Sequence, residues 1–198
     1  MLGSTNGTDL QAIINAIELK KLKNVKISFV LSNKELAGIL NRARKHKIEA
    51  IFLDPEGKSR EEYDSEIDKL LEAQGVELVL LIGYMKLMSN GFVDKWRNKI
   101  MNIHPSILPM FAGGMDTNVH QAALDYGCKV TGCSLIFIDE GADTGPIILQ
   151  KAVDIKEGDS VASLKSKVQK AEQEILIKGI EFFRDNKLKI EGRIVHIL

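Results

Sequence analysis

Short apolar runs alternate with amphipathic stretches along the first half of the chain. Apolar residues at helical spacing predict helices at residues 8–22 and 33–47, and a third helix that Ser59 would cap. In the second helix, Leu36, Ile39 and Leu40 are predicted to share one face. Strands are predicted at residues 25–31, 50–53 and 78–82, and the uninterrupted apolar run of the last is typical of a central parallel strand.

The second half of the chain has longer strand patterns. Strands are predicted at residues 99–103, 130–138 and 146–152, a helix at residues 160–185, and one short final strand at residues 188–198. This alternation predicts an α/β fold, an open, mostly parallel twisted sheet with helices on both faces and antiparallel additions in the C-terminal half. The sequence shows no repeat and no linker-like tract, so a single domain is expected.

Composition and charge exclude several classes of protein. The 27 basic residues equal the 27 acidic residues in number, whereas a nucleic-acid-binding protein usually carries a basic excess. The sequence has no run of 18 apolar residues that would span a membrane and no secretory signal at its start. The two cysteines, Cys128 and Cys133, lack a second pair that would complete a zinc site. Free thiols and a cytoplasmic location are therefore expected, with no metal.

A glycine-containing turn precedes the first predicted helix. In the sequence Gly3–Asp9, backbone N–H groups at the helix start could bind a phosphate, and Gly7 would let a ligand approach the backbone closely. The alternative is an ordinary turn in which Thr8 or Asp9 caps the helix. Asp9 adds a difficulty, because its carboxylate would repel a phosphate unless it points away.

Two polar residues stand near the end of the predicted strand at 99–103. Alternation along a strand places Asn102 and His104 on one face, roughly 6.6 Å apart. At the carboxyl end of a strand in an open α/β sheet, an amide and an imidazole could stabilise an oxyanion and transfer a proton. The alternative is a capping asparagine and a structural histidine.

Two further segments are open to two interpretations. The polar segment Asp139–Pro146 is either a simple loop or a loop that brings Asp143 beside His104, where it would orient the ring and raise its pKa. The segment Met85–Met88 follows the apolar strand, and its flexible side chains could line a flat apolar pocket or belong to the core.

Taken together, these segments resemble the folate-dependent formyltransferases over nearly the whole chain. The strongest matches are the motifs Asn102–Pro109, Lys129–Cys133 and Asp143–Ile148, in that order and spacing. The segment Gly7–Ile14 narrows the resemblance to the branch that acts on glycinamide ribonucleotide. The resemblance implies a Rossmann-like fold and transfer of the formyl group of 10-formyltetrahydrofolate to the amine of glycinamide ribonucleotide, in purine biosynthesis.

The resemblance also implies roles for individual residues. Asn102, His104 and Asp143 resemble the catalytic residues of the family. The residues implied to bind the nucleotide are Gly7, Thr8, Asp9, Gln169 and Glu172. The residues implied to bind the folate are Arg60, Met85, Lys86, Leu87, Met88, Asp139, Glu140, Gly141 and Ala142. Residues 1–100 would form a nucleotide-binding half and residues 101–198 a folate and catalytic half, with a homodimer as one expected assembly.

The chain departs from the family pattern in three places. Members usually begin with a full apolar strand, whereas only Met1 and Leu2 precede the turn here, so neighbouring strands would be left partly unpaired. Asp9 stands where many members have asparagine, and the segment 111–120 is slightly longer than usual.

Three alternative functions remain at this stage. A 10-formyltetrahydrofolate deformylase has the same three catalytic residues but usually an additional N-terminal domain, and a methionyl-tRNA formyltransferase adds a C-terminal RNA-binding domain. Neither domain is expected in this sequence of 198 residues. A catalytically silent binding module would bind folate without transferring the formyl group.

Overall fold

The computed structural model describes residues 1–114 and 118–198. Two compact units are apparent in it. Unit 1 contains Met1–Asn102 and Phe137–Gly141, and unit 2 contains Ile103–Ile136 and Ala142–Leu198. The predicted segment 111–120 lies partly outside the described residues.

Helices and strands alternate as the sequence predicts. The helices are α1 (Thr8–Glu18), α2 (Gly38–Lys45), α3 (Arg60–Ala73), α4 (Asn90–Lys95), α5 (Val119–Asp125) and α6 (Val161–Arg184). The strands are β1 (Phe29–Ser32), β2 (Glu49–Phe52), β3 (Val79–Leu81), β4 (Ile100–His104), β5 (Val130–Phe137), β6 (Ile147–Asp154), β7 (Leu188–Glu191) and β8 (Ile194–Ile197).

Parallel pairing organises unit 1. Strand β1 pairs with β2, and β3 pairs with β4, both in parallel. Residues 1–3 run between β1 and β3, where Leu2 forms parallel bridges to both Leu31 and Leu81. The Leu2 N–H donates to the Leu80 carbonyl at 2.9 Å, and the Gly3 N–H donates to the Leu31 carbonyl at 2.9 Å. The short start of the chain therefore joins the two strands that we expected to be partly unpaired.

Unit 2 holds the antiparallel additions. Strand β5 pairs antiparallel with β6, β6 pairs in parallel with β8, and β7 and β8 form an antiparallel hairpin. The 24-residue helix α6 packs against β6. A capping box at Ser160 and Ser163 begins this helix, because each side chain accepts a hydrogen bond from the backbone N–H of the other residue.

The predicted α/β class with an open, mixed sheet is confirmed, and Ser59 caps α3 in a complete capping box with Glu62. Two local predictions are wrong. Leu36 precedes α2 and is 91% exposed, because this helix begins only at Gly38. Residues 188–198 form two strands, since Gly192 with φ of 59° allows a reversal between them. The short helix α4 was not predicted, because its six residues are too few to show a helical period.

The start of α6 gives a testable prediction about stability. The Asp159 carboxylate accepts hydrogen bonds from Lys167 Nζ at 2.5 Å, the Lys156 N–H at 2.8 Å and Ser163 Oγ at 2.8 Å. Lys167 first, and then the other two donors, lower the pKa of Asp159 from 3.8 to about 2. A lowered carboxyl pKa stabilises the fold above the ordinary pKa and loses this effect as the pH falls through the folded value.

We therefore expect Asp159→Asn to lower the melting temperature at pH 7. The difference from wild type should narrow as the pH falls from 3.8 towards 2. Thermal unfolding at a series of pH values checks this, with the exposed Glu157 changed to Gln as a control in the same loop. A loss that stays constant with pH would contradict the electrostatic explanation.

Candidate functional site

Strand β4 carries the two polar residues that the sequence singled out. It begins and ends one residue later than predicted, at Ile100 and His104. Asn102 is half-buried and His104 is buried, while Met101 and Ile103 between and beside them are also buried. Because alternate residues of a strand share a face, Asn102 and His104 lie on the same side of β4.

Within unit 2, the structure brings Asp143 beside His104. Asp143 Oδ2 lies 3.3 Å from His104 Nδ1, and the two side chains are 17% and 7% exposed. The other ring nitrogen, Nε2, is buried and has no hydrogen-bond partner in the part of the chain that the structure describes. A buried polar atom without a partner costs free energy, so it marks a place where a ligand atom would be stabilising.

Asp143 is held in an unusual backbone conformation. Its φ of 57° lies in the left-handed region, which non-glycine residues rarely adopt. The same carboxylate oxygen that faces His104 accepts a hydrogen bond from the Gly113 N–H at 3.1 Å. Such strain persists only where neighbouring contacts enforce it and is frequent at functional sites.

A buried serine fixes the segment that follows His104. Ser134 Oγ accepts hydrogen bonds from the Leu108 N–H at 2.9 Å and from Gln150 Nε2 at 2.9 Å, and it donates to the Ser106 carbonyl at 2.8 Å. Gln150 Nε2 also donates to the Leu108 carbonyl at 3.0 Å. The backbone after the histidine is therefore tied to β5 and β6 at several points, which restricts the position of the imidazole.

The glycine-containing turn lies at the start of α1 in unit 1. Gly7 is the N-cap residue with φ of 67°, so the alternative in which Thr8 or Asp9 is the N-cap is wrong. Thr8 and Asp9 instead form the first turn of the helix. A Cβ atom on Gly7 would lie 2.5 Å from Ile39 Cγ1, so the turn packs too closely against α2 for any side chain.

Helix α2 also anchors the loop before Gly7. Arg42 Nε donates to the Asn6 carbonyl at 2.6 Å, and the Ile39 N–H donates to the Thr5 carbonyl at 3.0 Å. The two other residues implied to bind the nucleotide, Gln169 and Glu172, lie on α6 in unit 2. They are three positions apart and so share a helix face, with Gln169 half-buried and Glu172 buried.

The segment implied to contact the folate follows β3 in unit 1. Met85 and Leu87 are 39% and 47% exposed, while Met88 is buried. Two exposed apolar side chains next to a buried one are consistent with the predicted ligand surface. Lys86 Nζ lies 4.9 Å from the centre of the Tyr63 ring, within the range of a cation–π contact. Arg60 is the exposed first residue of α3.

The polar loop after β5 has its own internal support. The Gly141 N–H donates to Asp139 Oδ1 at 3.1 Å, which closes a tight turn. The Glu140 carboxylate pairs with Arg97, whose hydrogen bond lowers the pKa of Glu140. Ala142, the first residue of this loop in unit 2, is exposed.

The structure also shows features that the sequence did not indicate. An open cleft of about 420 Å³ lies between α3 and α4, with Arg60, Asp64, Ser89 and Lys95 among its lining residues. Asp64 is almost fully buried, and burial raises its pKa, opposed by the hydrogen bond from Ser89 and by the charges of Arg60 and Lys86. An acidic residue within a helical pattern gave no sign of this burial.

Two other features bear on the kind of site. Among the described residues, no group of three or more His, Cys, Asp or Glu side chains could hold a metal ion. None of the helices described is both long enough and apolar enough to cross a membrane.

Comparison with known proteins adds independent information. A sequence model described as formyl transferase matches residues 1–180. The chain is 36% identical over 195 residues to phosphoribosylglycinamide formyltransferase of Escherichia coli strain K12, covering 96% of this chain and 88% of that protein. It is 38% identical over 199 residues to the human trifunctional purine biosynthetic protein adenosine-3, covering 96% of this chain and 18% of the relative. The chain therefore spans under a fifth of that relative.

A solved structure has the same fold along the whole chain. The crystal structure of glycinamide ribonucleotide transformylase 1 from Symbiobacterium toebii matches with a TM-score of 0.93 and 39% identity. The match covers 100% of this chain and 92% of the other.

Two glycine variants can separate the cost of a left-handed backbone from the cost of a steric clash at the Gly7 turn. We expect Gly7→Ala to destabilise the protein strongly, because alanine would be strained at positive φ and its Cβ would clash with Ile39. Left-handed backbone alone costs about 1–2 kcal/mol for an alanine. The matched control is Gly75→Ala, since Gly75 has φ of 59° but no atom within 4 Å of an added Cβ.

Chemical denaturation of the two variants measures this difference. Gly7→Ala should lose clearly more free energy of unfolding than Gly75→Ala. Equal losses would mean that the contact with Ile39 does not constrain the turn.

Proposed function

The chain belongs to the formyl transferase family, and we propose that it transfers the formyl group of 10-formyltetrahydrofolate to the primary amine of glycinamide ribonucleotide. The products are formylglycinamide ribonucleotide and tetrahydrofolate, and the reaction belongs to de novo purine biosynthesis. The relatives named for this reaction match nearly all of the chain, and the E. coli protein is similar to it in length. We place the reaction in the cytoplasm, without a metal and without nucleic acid or membrane as a partner, and a homodimer stays a prediction.

The observation that supports this function best is the contact between the buried His104 and the half-buried Asp143. Asp143 faces Nδ1 of the ring, which leaves Nε2 without a partner in the described part of the chain. An imidazole that is oriented on one side and unpartnered on the other can donate a proton to an oxyanion or exchange one with an amine. We therefore assign His104 and Asp143 as catalytic residues.

Asn102 completes the catalytic group in this proposal. The amine of the nucleotide attacks the formyl carbon, and the carbonyl oxygen becomes an oxyanion as the carbon becomes tetrahedral. The side-chain N–H of Asn102 and a protonated His104 would donate hydrogen bonds to this oxygen. The C–N bond to the folate then breaks, the proton lost by the amine passes to the departing nitrogen, and no covalent enzyme intermediate forms. The shared face of β4 supports this assignment.

Backbone geometry supports the nucleotide site. Gly7 and the first helical residues Thr8 and Asp9 present N–H groups at the positive end of α1, which suits a phosphate. Gln169 would donate to the phosphate, and the buried Glu172 would accept from the ribose hydroxyl groups. Asp9 lies in the same first turn and is buried, so its carboxylate does not extend into solvent in front of the turn.

The folate site in this proposal is built on the segment Met85–Met88. The exposed side chains of Met85 and Leu87 would contact the flat ring system, and Lys86 and Arg60 would face the negatively charged part of the folate. The backbone of Asp139–Ala142 would hydrogen-bond the ring edge. The division into a nucleotide-binding half, residues 1–100, and a folate and catalytic half, residues 101–198, stays a prediction.

A transfer assay tests the function. Purified protein is given 10-formyltetrahydrofolate with glycinamide ribonucleotide or with buffer alone, and release of tetrahydrofolate is followed together with formylation of the amine. We expect release to depend on the amine and to match the formylated product one to one. Equal release without the amine would instead identify a deformylase, and folate binding with no release in either case would identify a silent binding module.

A mutation tests the proposed oxyanion donor. Loss of one such donor typically lowers the rate about 10²–10³-fold, so Asn102→Ala should lower kcat by at least about 10²-fold. Stopped-flow turnover with both substrates saturating measures this, with the exposed Asn41 changed to Ala as a control on α2. Near-normal kcat in Asn102→Ala would refute the assignment.

A further inference from the structure

The C-terminal end of the segment Met85–Met88 rests on a buried carboxylate of α3. Asp64 is 3% exposed, and its Oδ2 accepts a hydrogen bond from the Ser89 N–H at 2.5 Å. Ser89 directly follows Met88, and its own Oγ accepts from the Phe92 N–H at 3.4 Å as the N-cap of α4. Asp64 therefore fixes the point where the segment ends and α4 begins.

The N-terminal end of the segment rests on a buried hydroxyl group. Ser4 is 5% exposed, and its Oγ accepts from the Met85 N–H at 2.9 Å while it donates to Asn33 Oδ1 at 2.6 Å. The Ser4 N–H also donates to the Gly83 carbonyl at 3.0 Å. Both ends of the segment are thus tied to side chains that water scarcely reaches.

Helix α3 supports the middle of the segment as well. The ring of Tyr63 lies under Lys86, and Tyr63 Oη donates to the Leu53 carbonyl at 3.0 Å, which holds the ring in place. The positive charges of Arg60 and Lys86 both attract the Asp64 carboxylate. Tyr63 and Asp64 are adjacent on α3. Tyr63 therefore holds the Lys86 side chain, and Asp64 holds the backbone at Ser89.

We propose that Asp64 is a positioning residue for the folate, which acts by holding the backbone of Met85–Met88 in its binding conformation through the Ser89 N–H. This inference rests on the proposed function, because it assumes that the segment contacts the folate. Asp64 does not touch the reacting atoms, so its effect falls on folate binding rather than on the chemical step.

The main variant removes the acceptor. In Asp64→Ala the Ser89 N–H is left buried without its partner, so the segment samples other conformations and folate must reorder it on binding. We expect the KM for 10-formyltetrahydrofolate to rise about tenfold, in line with the loss of one charge-assisted hydrogen bond. The KM for the nucleotide and the kcat at saturation should each change less than about threefold by the same reasoning.

Two further variants separate positioning from general destabilisation. Asp64→Asn keeps an oxygen that accepts from the Ser89 N–H, so its folate KM should stay within about threefold of wild type. The control is Asp68→Asn, one turn along the same helix, where the carboxylate instead accepts from Lys95 Nζ at 2.6 Å and Trp96 Nε1 at 2.9 Å. This control should leave the folate KM unchanged even if the melting temperature falls.

Ser4→Ala tests the other end of the segment and remains informative if Asp64→Ala does not fold. It should raise the folate KM in the same direction, because the Met85 N–H then loses its acceptor. A rise in folate KM with Asp68→Asn as large as with Asp64→Ala would overturn the proposal. So would a loss confined to kcat, an unchanged folate KM in Asp64→Ala, or, if Asp64→Ala does not fold, an unchanged folate KM in Ser4→Ala.

A binding measurement distinguishes failure of this inference from failure of the proposed function. Folate is titrated into the wild type and each variant by calorimetry, without the nucleotide. Wild-type binding with a clearly weaker Asp64→Ala variant supports the inference. Equal binding by both overturns the inference alone, whereas no binding by the wild type overturns the proposed function and this inference with it.

Discussion

The close approach of Asp143 to His104 is the contact on which the proposed chemistry depends. A histidine at the end of a strand can turn about its side-chain bonds, and only a partner at Nδ1 fixes which nitrogen faces outward. The 3.3 Å approach of the two side chains, both well shielded from water, supplies that partner. The left-handed backbone at Asp143 and the hydrogen bond from the Gly113 N–H then fix the carboxylate itself. Nε2 of His104 is consequently the buried atom to which a substrate oxygen or nitrogen would hydrogen-bond.

In unit 1, side chains likewise hold the two backbone segments that are proposed to bind ligands. The Gly7 turn is held by its close packing on Ile39 and by Arg42, and the segment after β3 is held by Ser4 and Asp64. The side chains of Ile39, Ser4 and Asp64 are buried, and Arg42 is half-buried. Such support lowers the conformational freedom that a ligand would otherwise have to remove when it binds. The exposed apolar side chains of Met85 and Leu87 are therefore presented on a restrained backbone.

Much of the fold and part of the candidate site could be predicted from the sequence. Apolar periodicity and the capping pattern at Ser59 gave the fold class and the long elements, because these signals are local. The pairing of Asn102 with His104 followed from strand alternation, whereas the approach of Asp143 to His104 needed a family resemblance, since the two lie far apart in sequence. Asp64 and Ser4 could not have been identified, because their burial depends on tertiary contacts that leave no mark on local pattern. Leu36 was misplaced for the converse reason, as an apolar residue that the fold leaves in solvent.

The catalytic roles of Asn102, His104 and Asp143 are best tested by a crystal structure with glycinamide ribonucleotide and a folate analogue that cannot transfer its one-carbon group. We expect the oxygen at the formyl position to lie about 2.7–3.1 Å from His104 Nε2 and from the side-chain nitrogen of Asn102, with Asp143 still at Nδ1. The catalytic role of His104 would be contradicted by a complex in which both ligands are bound but the reacting atoms lie elsewhere and His104 Nε2 still has no partner.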